Sequence, residues 1–151
     1  MKILFLDIDG VLNCESTKEK IPDGIFRGMH ALDKRLLKLF LDWLQDKDLK
    51  IVLSSTWRLH PYLREILNAA GIYWIDVTPN MATRGHEIAA WLDLYSDIGA
   101  YAILDDIWDF HSWQHPHFVR TSYIHGLRQK NLNKLDRILG FNQSNDITSN
   151  D

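Results

Sequence analysis

Residues 2–13 read Lys2-Ile-Leu-Phe-Leu-Asp7-Ile-Asp9-Gly10-Val-Leu-Asn13, and this pattern indicates how the rest of the chain is arranged. The four apolar residues before Asp7 are typical of a strand that is buried on both faces, as in a parallel sheet. Open α/β folds bind ligands at the edge formed by the carboxyl ends of their strands. Two carboxylates this close repel each other unless a cation or a shared proton intervenes. The stretch therefore predicts a metal site, a proton-transfer pair, or both.

The same residues also fit a simple turn, because Asp and Gly both favour turn conformations. A calcium-binding EF-hand loop is excluded. In that loop Gly10 would come two places too early, and Lys18 would stand where the bidentate Glu belongs. The choice between a turn and a site depends on whether other strands bring matching residues to the same edge.

The composition is that of a soluble globular protein. The chain has 151 residues, of which 46% are hydrophobic and 25% charged, and this length fits one domain. We expect that domain to span residues 1–141, and the polar residues 142–151 to form a disordered tail. The net charge of −3 gives no general attraction to nucleic acid or to an anionic membrane.

Cellular location is also indicated by the sequence. A single cysteine, Cys14, excludes an internal disulfide and fits a reducing compartment. The apolar run after Lys2 is too short for a signal-peptide core, and no run approaches the roughly 18 residues of a membrane span. We expect a cytoplasmic protein with no membrane partner, and the sequence gives no indication of its oligomeric state.

Strands and helices alternate along the chain. Short apolar runs predict strands at residues 3–6, 50–53, 72–77, 101–104 and 118–121. Apolar residues at helical spacing predict helices at residues 31–46, 60–70 and 129–139, and one that opens at residues 83–87. Asp33 is the expected N-terminal cap of the first helix, and Gly71 and Gly140 are the expected stops of two others. The alternation predicts an α/β fold with a doubly wound parallel sheet, over which residues 13–30 form a loop or small flap.

Three of the predicted strands end in a polar residue, namely Asp7, Ser54 and Asp105. Because the carboxyl ends of parallel strands share one edge, we expect these residues to converge there with Asp9 and Asp106. Four carboxylates around one hydroxyl repel each other, and Mg²⁺, which prefers oxygen ligands, would relieve that repulsion. A helix cap or a turn is the alternative explanation for Asp105 and Asp106.

At this point the sequence resembles the haloacid dehalogenase (HAD) superfamily of phosphohydrolases, over residues 2 to about 140. The first acidic motif, a Ser at a strand end, a cation on a helix and a final Asp-Asp pair occur in the expected order. Leu-Ser-Ser-Thr-Trp-Arg (53–58) and Ile-Leu-Asp-Asp (103–106) are similar to motifs of small HAD domains associated with RNA repair. They are also similar to the phosphatase half of polynucleotide kinase-phosphatases. The resemblance implies a Rossmann-like HAD core with a minimal cap domain or none.

The resemblance implies a role for each acid. Asp7 would be the nucleophile that takes the phosphoryl group as an aspartyl-phosphate, and it would also bind the metal. Asp9 would protonate the leaving alkoxide and then activate water, while its backbone carbonyl would bind the metal. Asp105 and Asp106 would hold Mg²⁺ directly or through water. Phosphoryl transfer needs such a set because it depends on positioning and on neutralising charge on the phosphoryl oxygens.

The resemblance also implies phosphate-binding residues. Ser54 would hydrogen-bond a phosphoryl oxygen, although Ser55 would replace it if the strand ended one residue later. Arg84 stands where the family usually has a Lys, and a surface role is the alternative for it. Arg58 is a candidate for a second phosphate contact, with a solvated helix-start Arg as the alternative.

These features favour a Mg²⁺-dependent phosphomonoesterase. Since residues 13–30 leave no room for a large cap, an open site would admit a nucleotide or the 3′-phosphate of a polynucleotide. The alternative is a HAD-like binding module that holds a phosphorylated ligand without turnover. A phosphoacceptor receiver domain is disfavoured, because its acidic pair follows the first strand and its phosphorylated Asp comes later.

Other signals are weaker. His111, His115 and His117 have only loose metal-ligand spacing, which disfavours a zinc site. Cys14 does not indicate a cysteine phosphatase, because Lys20 stands where that signature loop needs Arg. Trp57 and Trp113 fit either base stacking or core packing. A polynucleotide contact and a solvated helix face are equally compatible with the basic residues Arg120, Arg128, Lys130, Lys134 and Arg137.

Overall fold

A five-stranded parallel sheet forms the centre of the protein. The structure is a computed structural model that describes residues 1–22 and 30–141. The tail predicted at residues 142–151, and residues 23–29 of the predicted flap, lie outside the described residues. The strands are β1 (Lys2–Leu6), β2 (Lys20–Ile21), β3 (Leu32–Asp33), β4 (Lys50–Leu53), β5 (Asp76–Val77), β6 (Ala100–Asp105) and β7 (Phe118–Arg120). The helices are α1 (Lys34–Leu44), α2 (Pro61–Ala69), α3 (Arg84–Asp93) and α4 (Gln129–Leu139), with short 3₁₀ helices at Thr56–Leu59 and Ser112–His117.

The order of strands in the sheet is β5-β4-β1-β6-β7, and every neighbouring pair is parallel. The chain builds outward from β1 to β4 and β5, and then returns to the other side of β1 to add β6 and β7. This is the doubly wound arrangement predicted from the sequence. The direction of winding reverses between β1 and β6, and ligands of such sheets bind outside the strand ends at that point.

The core lies on both faces of the sheet because successive side chains of a strand point to opposite sides. Leu4 and Leu6 of β1 face a layer built from α1, α2 and α4. Ile3 and Phe5 face the other layer, where Ile88 and Trp91 of α3 pack. These four apolar side chains are fully buried, as the continuous apolar run predicts. Each such burial stabilises the fold by roughly 1.5–3 kcal/mol.

The predicted helix ends are largely confirmed. The Asp33 side chain accepts hydrogen bonds from the backbone nitrogens of Arg35 and Leu36, at 2.9 and 3.2 Å, and so caps α1. The helix begins later than the predicted residue 31, because Leu32 and Asp33 pair with β2. Gly140 ends α4 at the predicted place, in the left-handed conformation that only glycine adopts without strain.

The strand predicted at residues 72–77 is much shorter than expected. Only Asp76 and Val77 pair in register with β4. Tyr73 and Ile75 are 71% and 52% exposed, so the apolar run there is not a buried strand. β5 is the edge of the sheet, where a strand has only one neighbour to hold it. Apolar composition alone does not distinguish such a segment from a central strand.

The segment between β1 and α1 contains no cap domain among the described residues. Its described residues form the strands β2 and β3, which pair antiparallel as a two-stranded ribbon. Every helix in residues 1–22 and 30–141 is too short or too polar to cross a membrane.

We expect Asp33→Ala to lower the free energy of unfolding by about 1–2 kcal/mol, because α1 loses its cap. The side chain also accepts a hydrogen bond from Thr17, which the substitution removes. Urea unfolding measures the change, with Asp42→Ala as the control, since Asp42 lies on the exposed face of the same helix. Equal losses in the two variants would contradict the capping role.

Candidate active site

The predicted residues converge at the carboxyl edge of the sheet, where backbone hydrogen bonds hold them. This backbone pairing continues one residue past the ends of the strands. The nitrogen of Asp7 donates to the carbonyl of Leu104 at 3.0 Å, and that of Ser54 donates to the carbonyl of Leu6 at 3.1 Å. Asp7, Ser54 and Asp105 are all buried. The three strand ends thus place polar side chains next to each other beneath the surface.

Three of the four predicted acids form one cluster. Asp7, Asp105 and Asp106 each offer a carboxylate oxygen, and these oxygens lie within 4.8 Å of one another. The carboxylate of Asp9 is not part of this group. Its Oδ1 accepts hydrogen bonds from Nδ2 of Asn13, at 2.9 Å, and from Nε1 of Trp57, at 3.0 Å. Asp9 is therefore held in place by two residues whose part in the site the sequence did not reveal.

Burial makes the charged state of this cluster costly. It raises the pKa of Asp7 well above its usual range, and repulsion from Asp105 raises it further, while Arg84 partly offsets both effects. Burial and Asp105 also raise the pKa of Asp106. Three carboxylates face a single guanidinium, so negative charge is left uncompensated. Their oxygens are the ligands that a hard divalent cation prefers, and the residues present therefore fit a metal ion.

Arg84 is the cation of the cluster. It is the first residue of α3, whose N-terminus is capped by the side chain of Thr83. Its Nη1 lies 3.4 Å from Oδ1 of Asp7 and 2.5 Å from Oδ2 of Asp105. Burial alone would lower the pKa of Arg84, but the two carboxylates more than offset this and raise it. The side chain is thus drawn inward to the acids.

Arg58, expected from the sequence as a second phosphate contact, is committed elsewhere. Its five N–H groups donate to four backbone carbonyls and one carboxylate, at 2.8–3.1 Å. The acceptors are Ser54, Ser55, Thr78, Pro79 and Glu87. A guanidinium has five N–H donors, so none remains for a phosphate. The residue is 3% exposed and braces the backbone at the end of β4 instead.

Glu87 connects the two arginines, and sequence analysis missed it. Its Oε2 accepts from Nη2 of Arg58 at 2.9 Å, and its Oε1 lies 3.7 Å from Nε of Arg84. The three-residue spacing of Arg84 and Glu87 on a helix was the available signal, since such residues share a face. Glu87 is also buried, so its negative charge needs the two arginine partners that its oxygens have.

The two candidate serines have different environments. The hydroxyl of Ser55 accepts a hydrogen bond from the nitrogen of Trp57, at 3.1 Å, and caps the following 3₁₀ helix. The hydroxyl of Ser54 is fully buried and has no partner among the described residues. An unsatisfied buried hydroxyl is costly, and a ligand that it could bond would remove that cost. The geometry therefore favours Ser54 over Ser55 as the residue that meets a ligand.

Gly10 lets the chain pass close to the cluster. Its φ of +78° lies in the left-handed region, and a Cβ at this position would overlap the carboxylate of Asp106. Its carbonyl accepts a hydrogen bond from the hydroxyl of Thr121 at 2.6 Å. These contacts join the turn after β1 to the residues that follow β7.

Two cavities adjoin the acids. The first, which we call the Asp9 cavity, has a volume of about 420 Å³ and is lined by Asp9, Asn13, Glu15, Lys20 and Tyr123, among others. The second, the Asp106 groove, has a volume of about 490 Å³. It is lined by Asp106, Arg120, Tyr123, Ile124, Arg128 and Lys130, among others. The site is thus open on two sides.

The histidines disfavoured as zinc ligands do not form a metal site within the described residues, where the acidic cluster is the only group with suitable spacing. His111 packs edge-on against His86 and stacks with Trp113. His117 stacks on Tyr101. These rings pack at the surface around the 3₁₀ helix Ser112–His117. Trp57, by contrast, is buried, and this excludes it as an exposed stacking surface.

The chain matches one family model over residues 3–132, that of the HAD domain in Swiss Army Knife RNA repair proteins. The matched region contains every residue of the acidic cluster, both serines, and Arg58 and Arg84. No match was found among curated proteins or among solved structures.

We expect Asp7→Asn to stabilise the metal-free protein at neutral pH, by about 0.5–2 kcal/mol, as substitutions of strained site residues commonly do. The pKa of Asp7 is raised in the folded state, so the ionised carboxylate destabilises the fold. This destabilisation grows as the pH rises above the ordinary value for Asp, about 3.9. The gain should therefore be larger at pH 8 than at pH 4.5.

Thermal unfolding in the presence of a chelator tests this expectation, with Asp93→Asn as the control on an exposed carboxylate. A variant less stable than the wild type at pH 8 would mean that the attraction of Asp7 to Arg84 outweighs the effect of burial.

We expect Arg58→Gln to lower the free energy of unfolding by about 3–5 kcal/mol, because it leaves the buried carboxylate of Glu87 without its strongest partner. Urea unfolding measures the loss, and Arg35→Gln is the matched control on an exposed arginine. A small loss of stability joined to weaker phosphate binding would instead restore Arg58 as a ligand contact.

Proposed function

The chain belongs to the family of HAD domains in Swiss Army Knife RNA repair proteins, and from this we propose that it is a Mg²⁺-dependent phosphomonoesterase acting through an aspartyl-phosphate. Its substrate in this proposal is a nucleotide or polynucleotide 3′-phosphate. The observation that carries the proposal is the contact of Arg84 with both Asp7 and Asp105, beside the unpartnered buried hydroxyl of Ser54. A nucleophile, a cation and a hydrogen-bond donor are thereby available at one sheet edge.

In this proposal Asp7, Asp105 and Asp106 hold the metal ion, together with the backbone carbonyl of Asp9 that the family resemblance implies. Bound Mg²⁺ neutralises charge on the phosphoryl oxygens and lowers the barrier to attack by an anion. The oxygen-only donor set and the uncompensated negative charge of the cluster support this assignment.

Asp7 is the proposed nucleophile. One of its carboxylate oxygens attacks phosphorus, a new P–O bond forms, and the bond to the leaving oxygen breaks. Arg84, 3.4 Å from Asp7, favours the ionised carboxylate and offers a positive charge to the phosphoryl oxygens. The hydroxyl of Ser54 donates to one of those oxygens and thereby gains the partner it lacks among the described residues.

Asp9 is the proposed general acid and base. Both hydrogen bonds from Asn13 and Trp57 go to Oδ1, so the proton of the neutral acid belongs on Oδ2. That proton passes to the leaving alkoxide as its bond to phosphorus breaks. Asp9 then takes a proton from water, which attacks phosphorus and releases Asp7 from the aspartyl-phosphate. Because its orientation is fixed by two donors, the carboxyl group need not be ordered by the substrate.

A bulky substrate is favoured by the absence of a cap among the described residues. Within residues 7–22 and 30–33, the strands between β1 and α1 are those of the β2–β3 ribbon. The two cavities beside the acids are open to solvent, so a chain attached to the terminal phosphate can leave the site in either direction. The description of the family as part of RNA repair proteins agrees with a nucleic-acid end.

We expect wild-type protein to release phosphate from a 3′-phosphorylated oligonucleotide or from nucleoside 3′-monophosphates with Mg²⁺, and to lose this activity with a chelator. Asp7→Asn should reduce the rate by at least about 10³-fold, since it removes the nucleophile. Asp93→Asn, an exposed carboxylate outside the site, is the matched control.

Equal rates for the wild type and Asp7→Asn would refute the aspartyl-phosphate route. If wild-type protein releases no phosphate, yet a 3′-phosphorylated oligonucleotide raises its melting temperature, the domain is a binding module. Retention of that rise in Ser54→Ala would then show that Ser54 is not a phosphate contact.

A further inference from the structure

We infer that the nucleotide chain attached to the terminal phosphate passes Tyr123 and lies in the Asp106 groove. The preferred substrate is then a single-stranded nucleic acid of several nucleotides rather than a mononucleotide. This inference deepens the proposed function and rests on it. It is carried by the shape, the charge and the exposed ring of a surface that the chemistry of the acids does not itself use.

The Asp9 cavity and the Asp106 groove meet at Tyr123, which lines both. The first contains the proposed general acid, so the sugar bearing the leaving oxygen lies on that side. The second borders Asp106 and is slightly larger. A chain that begins at the sugar therefore passes Tyr123 to reach the groove.

Charge favours the groove as the place for further phosphates. Arg120, Arg128 and Lys130 line it and are exposed, and none of them forms an ion pair within the described part of the chain. This concentration of free positive charge occurs on a protein whose net charge is −3. In the Asp9 cavity, by comparison, Lys20 is outnumbered by Asp9 and Glu15. A polyanion is thus attracted to the groove and not to the protein as a whole.

Arg120 links the groove to the acidic cluster. Its Nε donates to the backbone carbonyl of Asp106 at 3.2 Å, and its guanidinium lies 5.5 Å from the ring centre of Trp108. The cation is therefore held at a fixed distance from the acids. A phosphate next to the terminal one would find this charge already in position.

Tyr123 supplies an exposed aromatic face between the two cavities. The residue is 57% exposed, so a base can reach its ring. It lies in a turn closed by the bridge between Ser122 and Gly126. Two hydrogen bonds hold this turn to the segment after β1. The backbone nitrogen of Glu15 donates to the Tyr123 carbonyl at 2.9 Å, and the hydroxyl of Ser16 donates to the Ile124 carbonyl at 3.2 Å.

An exposed ring on an anchored turn, beside unpaired cations, is the combination that binds single-stranded nucleic acid, through stacking on bases and attraction to phosphates. An acidic peptide would use the cations but would have little need for the ring. A mononucleotide would use neither Arg128 nor Lys130. The groove therefore points to a nucleic-acid strand.

The test compares kcat/KM on RNA of one, two, four and eight nucleotides that ends in a 3′-phosphate, with Mg²⁺ present. For the wild type we expect a rise of roughly tenfold or more from one to four nucleotides and little change beyond. Arg128→Gln with Lys130→Gln, and separately Tyr123→Ala, should reduce the ratio of the eight-nucleotide to the one-nucleotide value by roughly 5- to 100-fold. Lys134→Gln and Tyr73→Ala, exposed residues outside both cavities, should leave that ratio unchanged.

A second readout does not depend on catalysis. Fluorescence anisotropy measures binding of an eight-nucleotide RNA with a 3′-hydroxyl to the wild type, to Tyr123→Ala and to the Arg128→Gln, Lys130→Gln variant over a range of salt concentrations. The slope of log affinity against log salt should become shallower by about 0.7 for each phosphate contact removed.

The outcomes separate this inference from the proposed function. If phosphate release is equally efficient at every substrate length, or if the groove variants behave like their controls, the groove inference is overturned while the phosphatase stands. If no substrate releases phosphate but RNA binding still depends on Tyr123 and Arg128, the groove is supported and the phosphatase fails. Binding of a polyglutamate peptide as tightly as of RNA would overturn the assignment to nucleic acid.

Discussion

The crowding of three carboxylates, two of them buried, at the edge of an apolar sheet is the constraint to which the rest of the site responds. Asp7 and Asp105 are brought together by strands, because the backbone of Asp7 pairs with that of Leu104. In a low-dielectric interior such charges are tolerated only beside opposite ones. The structure meets this requirement for Asp105 with a series of alternating charges that runs to Arg84, then to Glu87, and finally to Arg58. Asp7 shares Arg84 with Asp105, so the cluster keeps the excess negative charge that a metal ion would compensate.

The topology of the sheet explains why residues nearly one hundred positions apart form this cluster. β1 and β6 are neighbours at the place where the winding reverses, so the first acidic motif and the last meet there. The approach is close enough that Asp106 occupies the space of a side chain at position 10, which is why glycine stands there. Fold and site are therefore set by the same strand pairing, and the hydrogen bond from Thr121 to Gly10 extends that pairing into the loops.

Sequence analysis was reliable where a residue's place follows from the strand that carries it. Asp7, Ser54 and Asp105 end buried apolar runs, and parallel pairing then dictates that they share an edge. It failed where partners come from remote loops. The acceptors of Arg58 include Thr78, Pro79 and Glu87, which lie 20–29 residues further along the chain. The sequence around Arg58 contains no pattern that predicts these contacts. The prediction of a strand at residues 72–77 was too long for a related reason, since apolar residues alone do not indicate that a segment lies at the edge of the sheet.

The five hydrogen bonds of Arg58 have a consequence for motion within the site. They connect the backbone after β4, which carries Ser54, to the backbone after β5. Through Glu87 they also connect it to the helix that carries Arg84. The hydroxyl of Ser54 and the guanidinium of Arg84 are thereby held in one connected set of contacts, although they come from separate elements. Neither can shift without straining a buried side chain whose every donor is in use. The spacing between them is therefore a property of the free protein, fixed before any ligand arrives.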